Sequence, residues 1–320
     1  MTQTVSFRNA VGDLGFFQKD GDHVCLSLQP RESLNTIMES NSWQAWAQIV
    51  GAGCGAGDVN SITVEAIQYY LTRYAESVNI KVVEMSSVRK PGVYYPRISR
   101  GKVEFDYVSS EFLQDLRAFR NIQESVDMLF NYVEPSESNL KAYGHKIREL
   151  LILSCTEVEH LLLKMLVDNG YERKERYTTN DYIKCKEVLG LGDYDAVLAQ
   201  HNDLRSFKSF GSWSGSSPTK TLPWYSAYNA VKHNRSDNIQ DANLEHLLNA
   251  VSAIHILLES QYGENIFKRW TSLTEDRSMF STVSSPKWRC DQVQAPILVP
   301  GWDISYKWTE ERKYFDDHPV

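Results

Sequence analysis

The pattern that most restricts the fold is an apolar stripe at helical spacing between about residues 138 and 169. Gly170 follows it and is well placed to end the helix. A helix of this length with one apolar side needs neighbouring helices to cover it. The stripe consists of Leu140, Tyr143, Ile147, Leu150, Leu151, Ser154, Val158, Leu161, Leu162 and Met165.

Further helical patterns flank this segment. Apolar residues recur at helical spacing from Ser110 until Pro135, and a shorter helix is predicted near 179–189. The last clear helix spans about 242–262, with Asp241 as its N-terminal cap. Four or five helices therefore occupy residues 110–270, which is the scale of a helical bundle.

The first part of the chain has a different texture. Short strands and turns are predicted in residues 1–30, a helix from Ser33 to Val50, a helix over about 61–78, and strands at 80–85 and on either side of residue 100. This is a mixed α/β unit, residues 1–108. Residues 271–320 are polar and contain Pro and Trp, and we expect them to pack outside as a C-terminal extension. The predicted fold class is α+β: an N-terminal mixed α/β unit followed by an α-helical bundle.

Composition excludes several classes of protein. No apolar run approaches the roughly 20 residues that a membrane span needs, and the first residues show no apolar signal core, so we expect a cytoplasmic protein with no membrane contact. The cysteines show no metal-ligand spacing, which predicts free thiols, no metal and no cofactor. They are Cys25, Cys54, Cys155, Cys185 and Cys290.

A glycine-rich segment, GAGCGAG at 51–57, has two interpretations. It can be read as a dinucleotide-binding turn, which requires a buried strand running into the first glycine. The preceding residues have helical spacing, so a loop that ends one helix and leads to the next explains it more simply. Whether Val50 ends a strand or a helix decides between them.

The net charge is −7, so an anionic partner would have to meet a local basic patch. From Leu204 to Ser236 there is no Asp or Glu, while basic and aromatic residues alternate. Cations for phosphates and rings for bases are typical of sites for single-stranded nucleic acid. We therefore predict RNA contacts by Arg205, Lys208 and Tyr225. The alternative is that several of these aromatic residues belong to the core.

Within this window, the segment WYSAYNAVKHNR (224–235) combines an amide, an imidazole and cations on one helix. Asn229 and His233 are four residues apart and share a face, which Lys232 flanks. Such groups suit metal-free RNA cleavage, in which a 2′-hydroxyl attacks the adjacent phosphate. The alternative is that His233, Lys232 and Arg235 only offset the dipole at a helix end.

The long helix carries a polar insert, Ser154 to His160, inside its apolar run. Glu157 lies at the edge of the buried stripe, where a carboxylate has to be paired or change its pKa. The alternative for Glu157, and the preferred interpretation for Glu159, is a solvated helix side.

Taken together, the long helix, the segment WYSAYNAVKHNR and the apolar helix at 242–262 resemble the HEPN superfamily over about 110–270. These are helical-domain proteins common in prokaryotic toxin and anti-phage defence systems. Family ribonucleases use a histidine and a nearby upstream arginine across a dimer interface. His233 matches the histidine, while Asn229 stands at about the place of the arginine.

The resemblance implies a metal-independent endoribonuclease of a bacterial defence or toxin system. In that function His233 acts as general acid or base, Lys232 and Arg235 stabilise the phosphate, Asn229 positions it, and Glu157 orients the cations. It also implies a homodimer through the helical domain. The N-terminal unit, which the resemblance does not cover, is expected to sense, regulate or bind a partner protein. The alternative is a non-catalytic RNA- or protein-binding, or dimerisation, component of such a system.

Overall fold

The computed structural model separates the chain into two compact units. The N-terminal unit comprises Met1–Tyr94, Arg100–Lys102 and Trp288–Glu310, and the helical unit comprises Tyr95–Ser99, Val103–Lys287 and Glu311–Val320. The predicted extension 271–320 is thus divided between the two. The described residues are 3–29, 37–54, 62–74, 81–88, 90–100, 110–201, 203–263, 266–267, 277–299, 303–305 and 308–318.

The N-terminal unit is built on a five-stranded antiparallel sheet with two helices. Its strands are β1 (Gln3–Asn9), β2 (Leu14–Asp20), β3 (His23–Gln29), β4 (Ile37–Ser42) and β5 (Val82–Ser87). They lie in the order β4-β3-β2-β1-β5. Two short strand pairs accompany it, Val93–Tyr94 with Thr309–Glu310 and Ile297–Val299 with Asp303–Ser305. The two helices are α1 (Trp43–Cys54) and α2 (Val64–Tyr74).

Both faces of this sheet are covered, which explains why β2 and β3 are buried along most of their length. On one face Phe17 packs against Trp46 of α1, with ring centroids 4.4 Å apart, and Trp46 packs against Tyr70 of α2 at 4.5 Å. On the other face Phe16 lies in a smaller apolar cluster with Cys290.

Two sequence predictions change in this unit. The helix expected from Ser33 begins only at Trp43, because residues 37–42 pair with β3 as a strand. Val50 lies inside α1, so a helix rather than a buried strand runs into the glycine-rich segment. The structural context of a dinucleotide-binding turn is therefore missing at Gly51. Residues 55–61 and the strand expected at 102–108 fall outside the described chain.

The described residues of the helical unit form three long helices, several short ones and one strand pair. The expected α+β class is confirmed at the level of helices and strands. The helices are α3 (Ser110–Phe130), α4 (His145–Asp168), α5 (Thr179–Tyr182), α6 (Lys184–Val188), α7 (Pro223–His233), α8 (Arg235–Asn238), α9 (Leu244–Tyr262) and α10 (Tyr314–Asp317). The strands are β6 (Asp195–Leu198) and β7 (Phe280–Ser284), which pair antiparallel.

The core of this unit forms between α4 and α9, with α3 and α7 packed beside them. Helix α4 is shorter than expected, because residues 137–139 form a separate 3-10 turn and Gly144 precedes the helix. Tyr143, predicted on the apolar stripe, is 57% exposed. The stripe residues within α4 are all buried. Gly170 has φ +77, a left-handed value, as expected of a helix-ending glycine.

Helix α9 is almost entirely buried, so it is the central element of the unit. Its N-terminal cap is Asn243, whose side chain accepts a hydrogen bond from the backbone of His246, and not the expected Asp241. No helix in the described chain has the length and apolar character required to cross a membrane. Within the described chain, the side chains of Cys25, Cys155, Cys185 and Cys290 are buried.

A buried arginine joins four parts of the helical unit. Arg97, in the segment before α3, donates from Nη1 to Asp115 of α3 at 2.9 Å and from Nε to Asp168 of α4 at 3.0 Å. Nη1 also reaches Gln261 of α9 at 3.0 Å, and the guanidinium lies over the ring of Tyr262, 5.6 Å from its centroid. Arg97 itself is 6% exposed and has a left-handed φ of 58°.

We predict that Arg97→Ala lowers the free energy of unfolding of the helical unit by about 3–5 kcal/mol, since it leaves the buried carboxylate of Asp115 without its arginine and removes one of three cations around Asp168. Urea denaturation monitored by far-ultraviolet circular dichroism measures this change. The matched control is Arg120→Ala, because Arg120 and its partner Glu124 are both exposed on α3. That control should change stability by less than about 1 kcal/mol. Equal effects of the two substitutions would contradict the prediction.

Candidate functional site

Helix α7 is held in place by its apolar side. Pro223 occupies the start of the helix, where its missing N–H costs nothing. Trp224, Tyr228 and Val231 are buried, as their spacing predicts, and pack into the core with α4 and α9. The remaining side and the carboxyl end of α7 carry the residues singled out from the sequence.

Tyr225 anchors α7 to α4 instead of facing a ligand. Its side chain is buried, and its hydroxyl donates a hydrogen bond to the carboxylate of Glu159. Burial and this carboxylate raise the pKa of Tyr225 far above its usual value. Burial, with a contribution from Glu159, also raises the pKa of Tyr182 to about 12. Glu159, expected in solvent, is therefore the carboxylate of α4 that reaches α7. Tyr225 holds α7 against α4 through this hydrogen bond.

Lys232 and Asn229 are both tied to their own helix. Lys232 Nζ donates to the hydroxyl of Tyr228 at 2.7 Å and lies 4.8 Å from the centroid of that ring. This hydrogen bond is the main cause of a raised Lys232 pKa, and the charge of Glu159 adds to it. Lys232 consequently stays protonated. Asn229 Nδ2 donates to the backbone carbonyl of Tyr225 at 3.1 Å.

Basic side chains from three helices lie around the carboxyl end of α7. Lys232, His233 and Arg235 are exposed, and Asn234, with φ −140° and ψ 81°, breaks the chain direction between α7 and α8. Arg148 of α4 donates from Nε to the carbonyl of Val231 at 3.0 Å. We call Arg148, Lys232, His233 and Arg235 the α7 cationic end.

The basic groups of this end form no ion pair within the described part of the chain. No described carboxylate lies within 4.0 Å of a basic nitrogen of its four residues. The Nη atoms of Arg148 make no hydrogen bond with any described residue. A helix carboxyl terminus attracts cations, which accounts for part of the arrangement. It does not explain why the guanidinium of a second helix joins them.

The other two basic residues predicted to contact RNA form ion pairs with acids of the helical unit. Arg205 pairs with Glu137 at 3.1 Å and with Glu245 at 3.3 Å, and Lys208 lies 3.8 Å from Asp195. The window that lacks acids in sequence thus meets acids from other segments in space. The aromatic rings of the window are also buried, so they offer no stacking platform: Phe207, Phe210, Trp213, Trp224 and Tyr228.

Glu157 lies on another side of α4 from Glu159. No hydrogen bond or ion pair joins it to α7 in the described chain, whereas Glu159 accepts a hydrogen bond from Tyr225 of α7. Burial raises the pKa of Glu157 to about 7; Asp115 adds to the rise and Arg97 opposes it. Atoms of Asp115, Glu157 and His160 that could each serve as a metal ligand lie within 4.8 Å of one another.

These three residues were not predicted together from the sequence. The spacing Glu157-x-x-His160 was visible, since residues three apart share a helix face. Asp115 comes from α3, and only the packing of α3 on α4 brings it there. Sequence reasoning that searches for pairs of Cys or His does not detect such a mixed set.

Comparisons with protein-family models, with curated proteins and with solved structures give no match to this chain.

We predict that Glu157→Gln makes the protein more stable at high pH. A carboxyl whose pKa rises from 4.5 to about 7 on folding contributes stability that is fully present below pH 4.5 and lost as the pH rises to about 7. Glutamine resembles the protonated form. The variant should therefore match the wild type near pH 4 and exceed it by about 1–3 kcal/mol near pH 8.

Urea denaturation at both pH values, in buffer containing EDTA, measures this difference. Glu149→Gln is the control on the same helix, because Glu149 is 66% exposed beside Lys146. A pH-independent effect of Glu157→Gln would contradict the prediction.

Proposed function

We propose that the helical unit binds RNA at the α7 cationic end and cleaves it without a metal ion. The observation that carries the proposal is that Arg148 of α4 bonds the carbonyl of Val231, which directly precedes Lys232 and His233, and that none of these cations forms an ion pair with a described carboxylate. A concentration of cations in a chain of net charge −7 is best explained by an anionic ligand. The resemblance to HEPN proteins supports RNA as that ligand.

The chemistry follows from the side chains present. The 2′-hydroxyl of the RNA attacks the adjacent phosphorus, and His233 takes its proton or protonates the leaving 5′-oxygen. Lys232 and Arg235 stabilise the charge on the pentacovalent phosphate. The amide oxygen of Asn229, which has no hydrogen-bond partner among the described residues, is available to accept from a ribose hydroxyl.

Arg148 offers a solution to the arginine that is absent upstream of His233. Its Nε is fixed by the carbonyl of Val231, two residues before His233, so its Nη atoms remain for a phosphate. A guanidinium presents paired donors that match phosphate oxygens. In this proposal the guanidinium that an upstream arginine of α7 would supply comes from Arg148 of α4.

Two copies of the helical unit would complete the site. The imidazole of His233 has no hydrogen-bond partner in the described chain, whereas a general base is normally oriented by a neighbouring group. A symmetric interface at the α7 cationic end would bring the second copy's polar groups to each His233. The N-terminal unit would then bind a partner protein or regulate cleavage, as expected for a component of a defence or toxin system.

A second candidate is a non-catalytic RNA- or protein-binding component. The unoriented imidazole of His233 and the burial of the aromatic rings favour it. Binding then uses the same cations without transferring a proton.

We predict that the purified protein cleaves single-stranded RNA in EDTA and that His233→Ala lowers the rate by about 100-fold or more. Gel electrophoresis of labelled RNA measures the products, which should end in cyclic phosphates. The control is His23→Ala, since His23 is an exposed histidine of the N-terminal unit. If the wild type leaves RNA intact but retains it on a filter, the non-catalytic candidate replaces the nuclease.

We also predict that Arg148→Ala weakens RNA binding and makes it less dependent on salt. Loss of one phosphate contact should reduce by about 0.7 the slope of the logarithm of the association constant against the logarithm of salt concentration. Fluorescence anisotropy with a labelled oligonucleotide measures both quantities.

Arg117→Ala is the control for this measurement, because it removes an equal charge from an exposed position on α3. The same loss of affinity in both variants would mean that RNA senses only the total charge.

A further inference from the structure

The α3–α4 side of the helical unit brings together three side chains that bind metals in other proteins. Glu157 and His160 stand one helical turn apart on α4, and Asp115 faces them from α3. His160 Nε2 and Asp115 Oδ1 lie 3.8 Å apart. Imidazole nitrogen and carboxylate oxygen are ligands that Zn²⁺ accepts.

Asp115 is oriented by other residues, as a metal ligand usually is. Its Oδ2 accepts hydrogen bonds from Arg97 Nη1 at 2.9 Å and from the hydroxyl of Tyr262 at 2.6 Å. These bonds fix the carboxylate and direct Oδ1 towards His160. Outer groups of this kind hold ligands in the geometry that a metal needs.

Glu157 supplies an independent observation. Its half-buried carboxylate makes no hydrogen bond and no ion pair with any described residue, although the buried carboxylate of Asp115 lies beside it. Two neighbouring carboxylates are stable only if one is protonated or a cation lies between them.

The other acids around Arg97 already have cations. Asp168 is contacted by Arg97 and by Lys164 and Arg312, both at 3.3 Å. Glu111 lies 3.7 Å from Arg97 and 3.8 Å from Lys164. The uncompensated negative charge is therefore located at Glu157, next to the free side of Asp115.

We infer that Asp115, Glu157 and His160 form a binding site for one divalent transition-metal ion, with Zn²⁺ as the best match to one nitrogen and two oxygen ligands. Ligands on a tetrahedral Zn²⁺ lie about 3.3 Å apart, so a contraction from separations of at most 4.8 Å completes the site. His160 is half exposed, which leaves the fourth position open to water. The ion joins α3 to α4 and neutralises Glu157.

This site is separate from the α7 cationic end. Glu157 and Glu159 are two residues apart on α4, which places them about 200° apart around the helix. Glu159 contacts Tyr225, whereas Glu157 faces Asp115. A result that contradicts one of the two proposed sites therefore does not contradict the other.

Zn²⁺ binding to the full-length protein tests the inference. After dialysis against EDTA and then metal-free buffer, calorimetric titration with Zn²⁺ should show one strong site, and the melting temperature should rise with Zn²⁺. His160→Ala and Glu157→Gln should each weaken this site by about 100-fold or more. Neither residue has a hydrogen bond within the described chain, so both variants should keep the fold, which circular dichroism checks.

Two controls keep the result specific. His145→Ala removes an exposed histidine from the other end of α4, and His233→Ala removes the histidine of the proposed RNA site; both should retain wild-type Zn²⁺ affinity. The inference would be overturned if the wild type had no strong Zn²⁺ site, or if His160→Ala and Glu157→Gln bound Zn²⁺ as tightly as the wild type. Loss of Zn²⁺ binding in His233→Ala would also overturn it, because the ion would then lie at α7.

Discussion

The buried guanidinium of Arg97 is the interaction on which the helical unit depends most. It holds carboxylates of α3 and α4 and the amide oxygen of Gln261 in α9, so one side chain fixes three helices relative to one another. Burying a charge is costly unless it is paired and hydrogen-bonded, and the two carboxylates meet that requirement. The left-handed backbone at Arg97 directs the chain so that this side chain can enter the core.

This arrangement gives α4 two chemically different polar sides. Towards α3, Arg97 orients Asp115 and leaves Glu157 beside it without a counter-ion. Towards α7, Glu159 accepts from Tyr225, and Arg148 holds the carbonyl of Val231. Because the buried stripe of α4 lies between these sides, the helix can carry an anionic cluster and a cationic one without their neutralising each other. The proposed metal site and the proposed RNA site use these two sides.

Charge in sequence and charge in space differ in this protein, and the difference changes which residues are candidates for RNA binding. The acid-free window from Leu204 to Ser236 folds so that Arg205 and Lys208 meet carboxylates from distant segments. At its carboxyl end, Lys232, His233 and Arg235 are exposed and form no ion pair with a described carboxylate, and the same holds for Lys220 alone. The aromatic residues of the window fill the core, as their apolar surface favours. RNA contact is therefore expected at one helix end rather than along the whole window.

Helical periodicity in the sequence predicts the longest elements of the fold. The apolar repeats at 110–130, 145–168 and 244–262 each form a helix, because one continuous apolar side can be buried only in that conformation. It also determined that Trp224, Tyr228 and Val231 face the core. Strand β4 was missed because its pairing with β3, and not its own residue pattern, makes it a strand.

Which polar residues contact one another depends on how the helices pack. Glu157 and Glu159 look alike along the chain, yet one faces a carboxylate and the other a tyrosine, since their environments come from different helices. Asp115, Arg97 and Arg148 acquire their roles in the same way, through neighbours distant in sequence. Helical periodicity tells which residues share a face, but the packing of the helices determines what that face contacts.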